Sequence, residues 1–153
     1  MTIHEHLTEF EGFPVRDYSA EEGLSSAGKS AFRLALDWEA SEAGSKFVDL
    51  FAKFLADPAS AEVEALVIGD WGEAGTGNDS APVVEALVSV RDRLPRLRAL
   101  FLGEITGDES EISWITQSDV SPLFEAFPNL EALYLRGGNE LRLGRPRHQR
   151  LRT

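Results

Sequence analysis

Leu97-Arg-Ala-Leu100-Phe-Leu102 decides the fold, because its L-x-x-L-x-L pattern recurs along the chain at nearly constant intervals. The preceding copy is Val63-Glu-Ala-Leu66-Val-Ile68, and the following one is Leu130-Glu-Ala-Leu133-Tyr-Leu135. A weaker first copy, Ala31-Phe-Arg-Leu34-Ala-Leu36, lies at almost the same distance before the copy that starts at Val63. Apolar residues alternate with other residues in each copy, which predicts a strand with one buried face. Four copies at this even spacing predict a repeat architecture.

The segments between these strands have a helical period. Apolar residues recur at i, i+3, i+4, i+7 and i+8 over residues 47–55, which predicts an amphipathic helix that Asp57-Pro58 ends. A second helix is predicted over residues 83–94 and a short third one over 122–127. Each repeat unit is therefore expected to run as strand, loop, helix and turn.

Such units must stack, because one strand and one helix cannot bury both of their apolar faces alone. We expect an α/β fold: a leucine-rich-repeat-like solenoid of about four strand–helix units, with a parallel sheet on one face. A period of about 33 residues is longer than the 20–29 residues usual for leucine-rich repeats. Residues 1–30 are expected to form an amino-terminal lead-in or cap, residues 31–141 the repeat units, and residues 142–153 a basic tail that starts an incomplete repeat.

Two stretches resemble a known family. GEITGDESEISWITQSDVSPLFEAFPNLEALYLRGGN (103–139) and VEALVIGDWGEA (63–74), the latter followed by VVEALVSVRDRLP (83–95), are similar to bacterial cytoplasmic leucine-rich-repeat proteins that are mostly uncharacterised. The resemblance extends from about Leu7 to the carboxy end. It implies a fold and a role in binding, and it carries no catalytic residue over to this chain.

The resemblance also implies a longer protein, because relatives continue through several more repeats. The chain therefore resembles a truncated amino-terminal portion of such a protein. Leu151-Arg-Thr153 is expected to open another repeat strand whose remainder is absent. An uncovered sheet edge can pair with a strand of another chain, so the open edge of the carboxy-terminal repeat is expected to allow self-association.

Composition excludes several classes of protein. The 153 residues include 26 acidic and 15 basic side chains, a net charge of -11, which disfavours general attraction to nucleic acid or to an anionic membrane. The absence of cysteine excludes disulfide scaffolds, zinc–thiolate sites, iron–sulfur clusters and thiol catalysis. The sequence has neither an export signal nor an apolar run of membrane-spanning length, so a cytoplasmic protein is expected.

Acidic and aromatic residues follow three successive predicted strands. These are Asp37-Trp38, Asp70-Trp71 and Glu104. Stacked repeats would align them as a ridge along one edge of the sheet, where loops on a rigid scaffold commonly carry function. Tryptophan is enriched in binding hot spots, although both tryptophans could instead pack the strand ends.

The loop of residues 103–118 is a second candidate contact. It contains Asp108, Glu109, Glu111 and Trp114. Three acids in four residues could bind a divalent cation, but they do not match the calcium-loop pattern. A solvated acidic loop, held to the core by isoleucines, is the favoured interpretation.

A nucleotide-binding motif offers an alternative function. Gly23-Leu-Ser-Ser-Ala-Gly28-Lys29-Ser30 matches G-x-x-x-x-G-K-[ST], whose backbone amides and lysine hold phosphates in P-loop proteins. Polar residues precede it where a buried strand is needed, and residues 31–36 alternate as a strand where a helix is needed. A Gly/Ser turn is therefore favoured over ATP or GTP binding.

Neither a metal nor a cofactor is predicted. His4 and His6 form a terminal H-x-H pair without a third ligand held beside it, and three dispersed histidines give no support for a hydrolytic triad. The carboxy tail is basic, and it is interpreted as a solvated loop or a partner of the chain's own acidic surface rather than as an RNA contact. Its arginines are Arg142, Arg145, Arg147, Arg150 and Arg152.

The function expected from the sequence is non-catalytic protein–protein recognition in the cytoplasm. The residues expected to contact the partner protein are Asp37, Trp38, Asp70, Trp71, Glu104, Glu111 and Trp114. The alternatives are nucleotide binding through Gly23, Gly28, Lys29 and Ser30, and a truncated remnant without independent function.

Overall fold

The chain folds into a mixed α/β structure around one open, curved six-stranded sheet. Residues 4–145 and 147–153 are described from a computed structural model. The strands lie in the order of the sequence. They are β1 (Glu9–Phe10), β2 (Phe13–Asp17), β3 (Ala31–Leu34), β4 (Ala65–Ile68), β5 (Ala99–Leu102) and β6 (Ala132–Leu135).

Strands β2 to β6 are parallel, and only the short β1 runs antiparallel to its neighbour. The four repeat strands align residue by residue, beginning with a row of alanines at their first positions. That row is Ala31, Ala65, Ala99 and Ala132. The register follows directly from the repeat, because equivalent residues of successive units occupy equivalent places in the sheet.

Helices connect the strands along one face of the sheet. They are α1 (Trp38–Glu42), α2 (Phe47–Ala56), α3 (Ala81–Ser89) and α4 (Pro122–Ala126). Short 3-10 helices span Pro58–Glu62, Ala74–Thr76, Arg91–Arg93 and Ile112–Trp114. The leucines of the strands and the apolar stripes of α2, α3 and α4 form the main hydrophobic core between sheet and helices.

The amino-terminal hairpin of β1 and β2 joins the sheet at the free edge of β3, and its phenylalanines pack across the face opposite the helices. Phe10 and Phe13 are buried against the row of alanines and against Phe101. The ring of Phe10 lies 5.1 Å from that of Tyr134 and 5.9 Å from that of Phe101. Small residues let the hairpin approach the sheet closely, so this face has its own compact apolar cluster.

The repeat strands and the three predicted helices are confirmed, with shifted ends, but the alignment expected for the first copy is wrong by two residues. Ala31 pairs with Ala65 rather than standing level with Val63, and Leu34 pairs with Ile68. Each strand occupies the last four positions of the L-x-x-L-x-L pattern in the stronger copies, since Leu97 and Leu130 lie in the preceding turn, where their amides bond to Leu94 and Phe127. The second helix ends at Ser89, earlier than predicted, and a 3-10 turn follows it. The sequence patterns predict neither the hairpin nor α1.

The last residues continue the hydrogen-bonding pattern of the repeats. The amides of Arg152 and Thr153 both donate to the carbonyl of Glu131, just as those of Glu131 and Ala132 donate to Arg98. Leu133 in turn donates to the carbonyl of Thr153 at 2.7 Å. Leu151 therefore takes the place of Leu97 and Leu130, as its sequence predicts.

Candidate binding cleft

Three loops meet at the edge of the sheet where the parallel strands end. They follow β3, β4 and β5, and between them lies a cleft of about 620 Å³. This volume falls within the range of ligand-binding clefts, roughly 300–1,000 Å³. We call it the Trp38–Trp114 cleft. Its charged and aromatic lining residues are Asp37, Trp38, Asp70, Glu73, Asp108, Glu109 and Trp114.

Two tryptophans give the cleft its exposed apolar surface. The exposed fraction is 68% for Trp38 and 59% for Trp114. Trp38 is the first residue of α1, and Trp114 ends the 3-10 turn after β5. A large aromatic side chain is seldom left this open unless it contacts something else, because burying it would stabilise the fold by about 2–3 kcal/mol.

The loop after β4 is held in shape by Asp70. Its Oδ1 accepts hydrogen bonds from the amides of Gly72 and Ala74, at 2.8 and 3.1 Å. The Trp71 indole and the Asn78 side chain close the loop with further bonds to main-chain carbonyls. These bonds fix the Asp70 carboxylate at the cleft wall before any ligand arrives.

The loop after β5 is also ordered, and it packs against the loop after β4. Glu109 accepts hydrogen bonds from the amide and the hydroxyl of Thr106, both at 3.1 Å. Gly75 lies so close to Ser110 that an added Cβ would collide with the serine side chain. The two walls of the cleft therefore hold each other in place.

Negative charge accumulates in the cleft. Burial raises the pKa of Asp70, and the carboxylates of Glu109 and Glu73 raise it further, against the lowering effect of its two backbone hydrogen bonds. No lysine or arginine lines the cleft among the described residues. Asp37 lies at the rim, where its Oδ1 caps α1 by accepting from the amide of Ala40 at 2.7 Å.

Two predicted contact residues are buried, which corrects their assignment to the surface. Trp71 is 6% exposed and belongs to the main core, and its indole donates to the carbonyl of Asn78 at 2.8 Å. Glu104 is fully buried. Neither side chain is accessible to a partner, so the packing alternative holds for Trp71, whereas Glu104 has an internal ionic role.

Glu104 closes an ion pair beneath the amino-terminal segment. Its Oε2 accepts hydrogen bonds from Arg33, at 3.1 Å to Nε and 2.7 Å to Nη2, and from the amide of Leu7 at 3.1 Å. His6 contacts Glu104 through Nδ1, and its Nε2 lies 2.7 Å from Oε1 of Glu109. Arg33 also bonds to the exposed Asp17, so a network around the buried Arg33–Glu104 pair connects the hairpin to the edge of the cleft.

Burial and pairing act oppositely on Arg33. Burial lowers its pKa, but hydrogen bonds to Asp17 and Glu104 outweigh that effect and raise the pKa above its ordinary value.

The sequence contains one sign of this ion pair, namely an arginine at a strand position where the other repeats have an apolar or aromatic residue. Arg33 occupies the strand position that Val67, Phe101 and Tyr134 fill in the other repeats, and a lone arginine there needs a buried carboxylate.

The Gly23–Ser30 segment leads into a strand rather than a helix. β3 begins at Ala31, as the alternation of residues 31–36 predicts. The amides of Gly23 and Lys29 donate to the carbonyls of Ser19 and Ser26, and that of Leu24 donates to Asp57. These donors are thus engaged within the chain. The side chain of Ser30 is buried beneath the turn, whereas Lys29 is exposed.

The remaining predicted sites lie outside the cleft. Glu111 is exposed but does not line the cleft, and Ile115 in the same loop is fully buried, as expected of a core anchor. Arg152 lies 3.8 Å from Glu131, so the tail pairs partly with the chain's own acids. Over the residues described here, no group of three His, Cys, Asp or Glu side chains could hold a metal ion.

A solved structure is similar to this chain, although no family model and no curated protein matches it. The similar structure is a crystal structure of a protein from Bacteroides fragilis, with 33% sequence identity over 73% of this chain and a TM-score of 0.65. The chain spans 30% of the length of that protein. Within the described part of the chain, no helix is long and apolar enough to cross a membrane.

Proposed function

We propose that this chain is a non-catalytic scaffold for protein–protein recognition in the cytoplasm, and that its partner binds at the Trp38–Trp114 cleft. The observation that carries the proposal is the exposure of two tryptophans on one concave surface. Tryptophan is enriched among the residues that dominate binding energy, and clusters of such residues lie in preformed pockets. The cleft is built by loops that the sheet and their own hydrogen bonds hold rigid.

The architecture supports this proposal. The repeat strands stack in register with leucines on the helical side, which favours a short leucine-rich-repeat-like solenoid of about four units. The Bacteroides fragilis protein is similar in fold over 73% of this chain, which spans 30% of the length of that protein. The amino-terminal hairpin covers one face of the sheet, whereas the loop edge carries the cleft that contains the two exposed tryptophans.

A site-specific cross-linking experiment tests the proposal. A photo-reactive phenylalanine derivative replaces Trp38, Trp114 or, as a control, Leu143, which is 41% exposed and lies outside the cleft. Irradiation in the cell that encodes the chain should join the same protein to positions 38 and 114 and not to position 143. The protein identified by mass spectrometry is then purified and its affinity measured directly.

The purified complex provides the quantitative test. Trp38→Ala should weaken binding by more than about tenfold, as expected of a hot-spot residue, while Leu143→Ala changes it little. Equal cross-linking at all three positions, or affinities that do not depend on Trp38 and Trp114, would show that the cleft is not the recognition surface.

A further inference from the structure

We infer that the cleft receives a cationic side chain, the guanidinium or ammonium group of an arginine- or lysine-rich protein segment, which binds beside its carboxylates and against the indoles of Trp38 and Trp114. This inference rests on the proposed function and names the chemistry of the partner.

The charge of the lining selects a cation. Five carboxylates line the cleft, from Asp37, Asp70, Glu73, Asp108 and Glu109. Of these, Glu109 already has a partner within the chain, because its Oε1 lies 2.7 Å from Nε2 of His6. A positively charged ligand reduces the electrostatic repulsion among the other four carboxylates. An anionic ligand increases this repulsion, and an apolar ligand leaves it unchanged.

Several of these carboxylate oxygens face the cleft without an internal hydrogen bond. Asp70 uses Oδ1 for both of its hydrogen bonds, and no donor among the described residues reaches its Oδ2. The carboxylates of Glu73 and Asp108 likewise accept no hydrogen bond from any described residue, and both residues are exposed. Guanidinium and ammonium groups carry several N–H donors and no acceptor, so they match a lining of free acceptors.

The indoles add an attraction that depends on the charge of the ligand. A cation over an indole face is attracted by the negative face of the ring, and tryptophan is the strongest aromatic partner for this contact. An exposed tryptophan beside carboxylates therefore distinguishes a basic side chain from a neutral one of the same length. Both exposed tryptophans of the cleft have this setting.

A protein segment fits better than a small cation, because the cleft runs across three loops and its acids are spread along it. Residues 1–141 carry 26 acidic side chains against ten basic ones, so the body of the chain also attracts basic segments from a distance. The occupant we expect is an extended segment with several arginines or lysines on another protein.

Calorimetry with the full chain tests the inference. The probes are a nine-residue peptide of alternating arginine and serine and the same peptide with citrulline in place of arginine, which keeps the shape and removes the charge. The arginine peptide should bind and the citrulline peptide should bind at least tenfold more weakly. Affinity for the arginine peptide should fall when salt is raised from about 50 to 200 mM, because the charges involved are partly exposed.

Matched variants locate the binding. Glu73→Gln/Asp108→Asn removes two charges from the cleft and should weaken binding about tenfold. Glu85→Gln/Asp92→Asn removes two charges from exposed positions on the helical side, and it should change the affinity less than twofold. Trp38→Leu keeps an apolar side chain but removes the indole, and a threefold to tenfold loss is expected for the arginine peptide alone.

Four outcomes would overturn the inference. Equal affinity of the two peptides would show that charge is not recognised. Equal loss in the cleft and helical-side variants would show attraction to the acidic body as a whole. Light scattering that shows peptide-reversible dimers would identify the occupant as the basic tail of a second copy. Cross-linking at positions 38 and 114 without binding of the arginine peptide would leave the proposed function standing and reject only the cationic partner.

Discussion

At the scale of single residues, Glu104 shows how a carboxylate at the edge of the sheet can form a buried ion pair. It lies at the end of β5, at the same place as Asp70 after β4, yet the two side chains have different surroundings. Asp70 faces the cleft, whereas Glu104 is covered by the amino-terminal segment and paired with Arg33. An ion pair out of water stabilises a fold only while both partners are present.

Glu104→Gln should therefore destabilise the fold markedly. The substitution leaves Arg33 buried with only Asp17, whose side chain is 79% exposed, as a counter-charge. We expect a loss of about 2–4 kcal/mol in the free energy of unfolding at pH 7, measured by urea titration. Glu64→Gln is the control: it breaks an ion pair with Arg98 whose side chains are about one-third exposed, and it should cost less than about 1 kcal/mol. Equal losses in both variants would contradict the buried role of Glu104.

The pH dependence of stability should separate Asp70 from Asp119. The folded-state pKa of Asp70 is raised by burial and by neighbouring carboxylates, so its ionisation costs the fold stability as the pH rises from its ordinary pKa through the folded value. Asp70→Asn should therefore gain stability over the wild type toward pH 7, and the gain should vanish at low pH.

Asp119→Asn should show the opposite sign. Hydrogen bonds from the hydroxyl and amide of Ser121 lower the folded-state pKa of Asp119, so its ionised form supports the fold above the ordinary pKa, and that support is lost as the pH falls through the lowered value. Asp119→Asn should lose stability near pH 7 and match the wild type at low pH. Urea titrations at four pH values between 3.5 and 7 measure both variants, and parallel profiles would contradict this assignment.

Residue-level prediction from sequence succeeds where the repeat itself determines the position. The repeat places Asp70 and Glu104 at equivalent positions after their strands, and the spacing of the copies indicates this without a structure. Asp37 lies one residue beyond the equivalent position, because Leu34 pairs with Ile68 and Leu36 is therefore the counterpart of Asp70. Their burial depends on contacts far apart in sequence. Glu104 is buried because His6 and Leu7 lie over it, and no local pattern links residues 6 and 104.

At the scale of elements, the hairpin of β1 and β2 determines which surface of the sheet stays open. Its turn places Glu11 and Gly12 in the left-handed region, with φ of 50° and 84°, so the strand reverses in two residues. The reversal turns Phe10 onto the row of alanines beside Phe101 and Tyr134. The hairpin thus covers the face of the sheet that lies opposite the helices.

Phe10→Ala should weaken the packing of the hairpin against the sheet. The ring is 3% exposed, and its removal leaves a cavity against Phe101 and Tyr134. We expect the free energy of unfolding to fall by about 3 kcal/mol, with increased binding of a hydrophobic dye to the uncovered face. Glu9→Ala, an exposed neighbour in the same strand, should change it by less than about 0.5 kcal/mol. A similar small effect for both variants would mean that the hairpin contributes little to the fold.

Helices and strands with an apolar period are predictable, and the hairpin is not. Residues 47–55 carry five apolar side chains on one stripe, so α2 is read directly from the sequence. The strand β1 has two residues, Glu9 and Phe10, too few to show any alternation. α1 contains Trp38 but has no buried residue, so its only local sign is the Asp37 cap. Tertiary contacts alone define the hairpin.

At the scale of the whole molecule, the net negative charge destabilises the compact folded state. The net charge is -11, and the acids are spread over a chain of only 153 residues. Self-repulsion of this kind destabilises the folded state, and dissolved salt screens it. The buried pair of Arg33 and Glu104 is screened much less than the surface charges, so salt acts mainly on the repulsion.

Raising sodium chloride from about 10 to 150 mM should therefore raise the melting temperature by roughly 2–5 °C. Differential scanning calorimetry measures the change, and potassium chloride should have the same effect if screening is the cause. A melting temperature that falls with salt would mean that surface ion pairs outweigh repulsion in this fold.

The contact between the hairpin and β6 has a consequence for synthesis on the ribosome. The hydroxyl of Tyr134 donates to Glu11 at 2.6 Å, across 123 residues of sequence. Stacked strand–helix units can in principle fold one after another as they emerge, but Phe10 and Glu11 contact Phe101 and Tyr134 only when β5 and β6 have been made. At a translation rate of about 5–20 residues per second, the interval between the synthesis of β1 and that of β6 is on the order of ten seconds. Phe10 therefore stays without its partners Phe101 and Tyr134 during this interval, and the strand made first is the one whose contacts on this face are completed last.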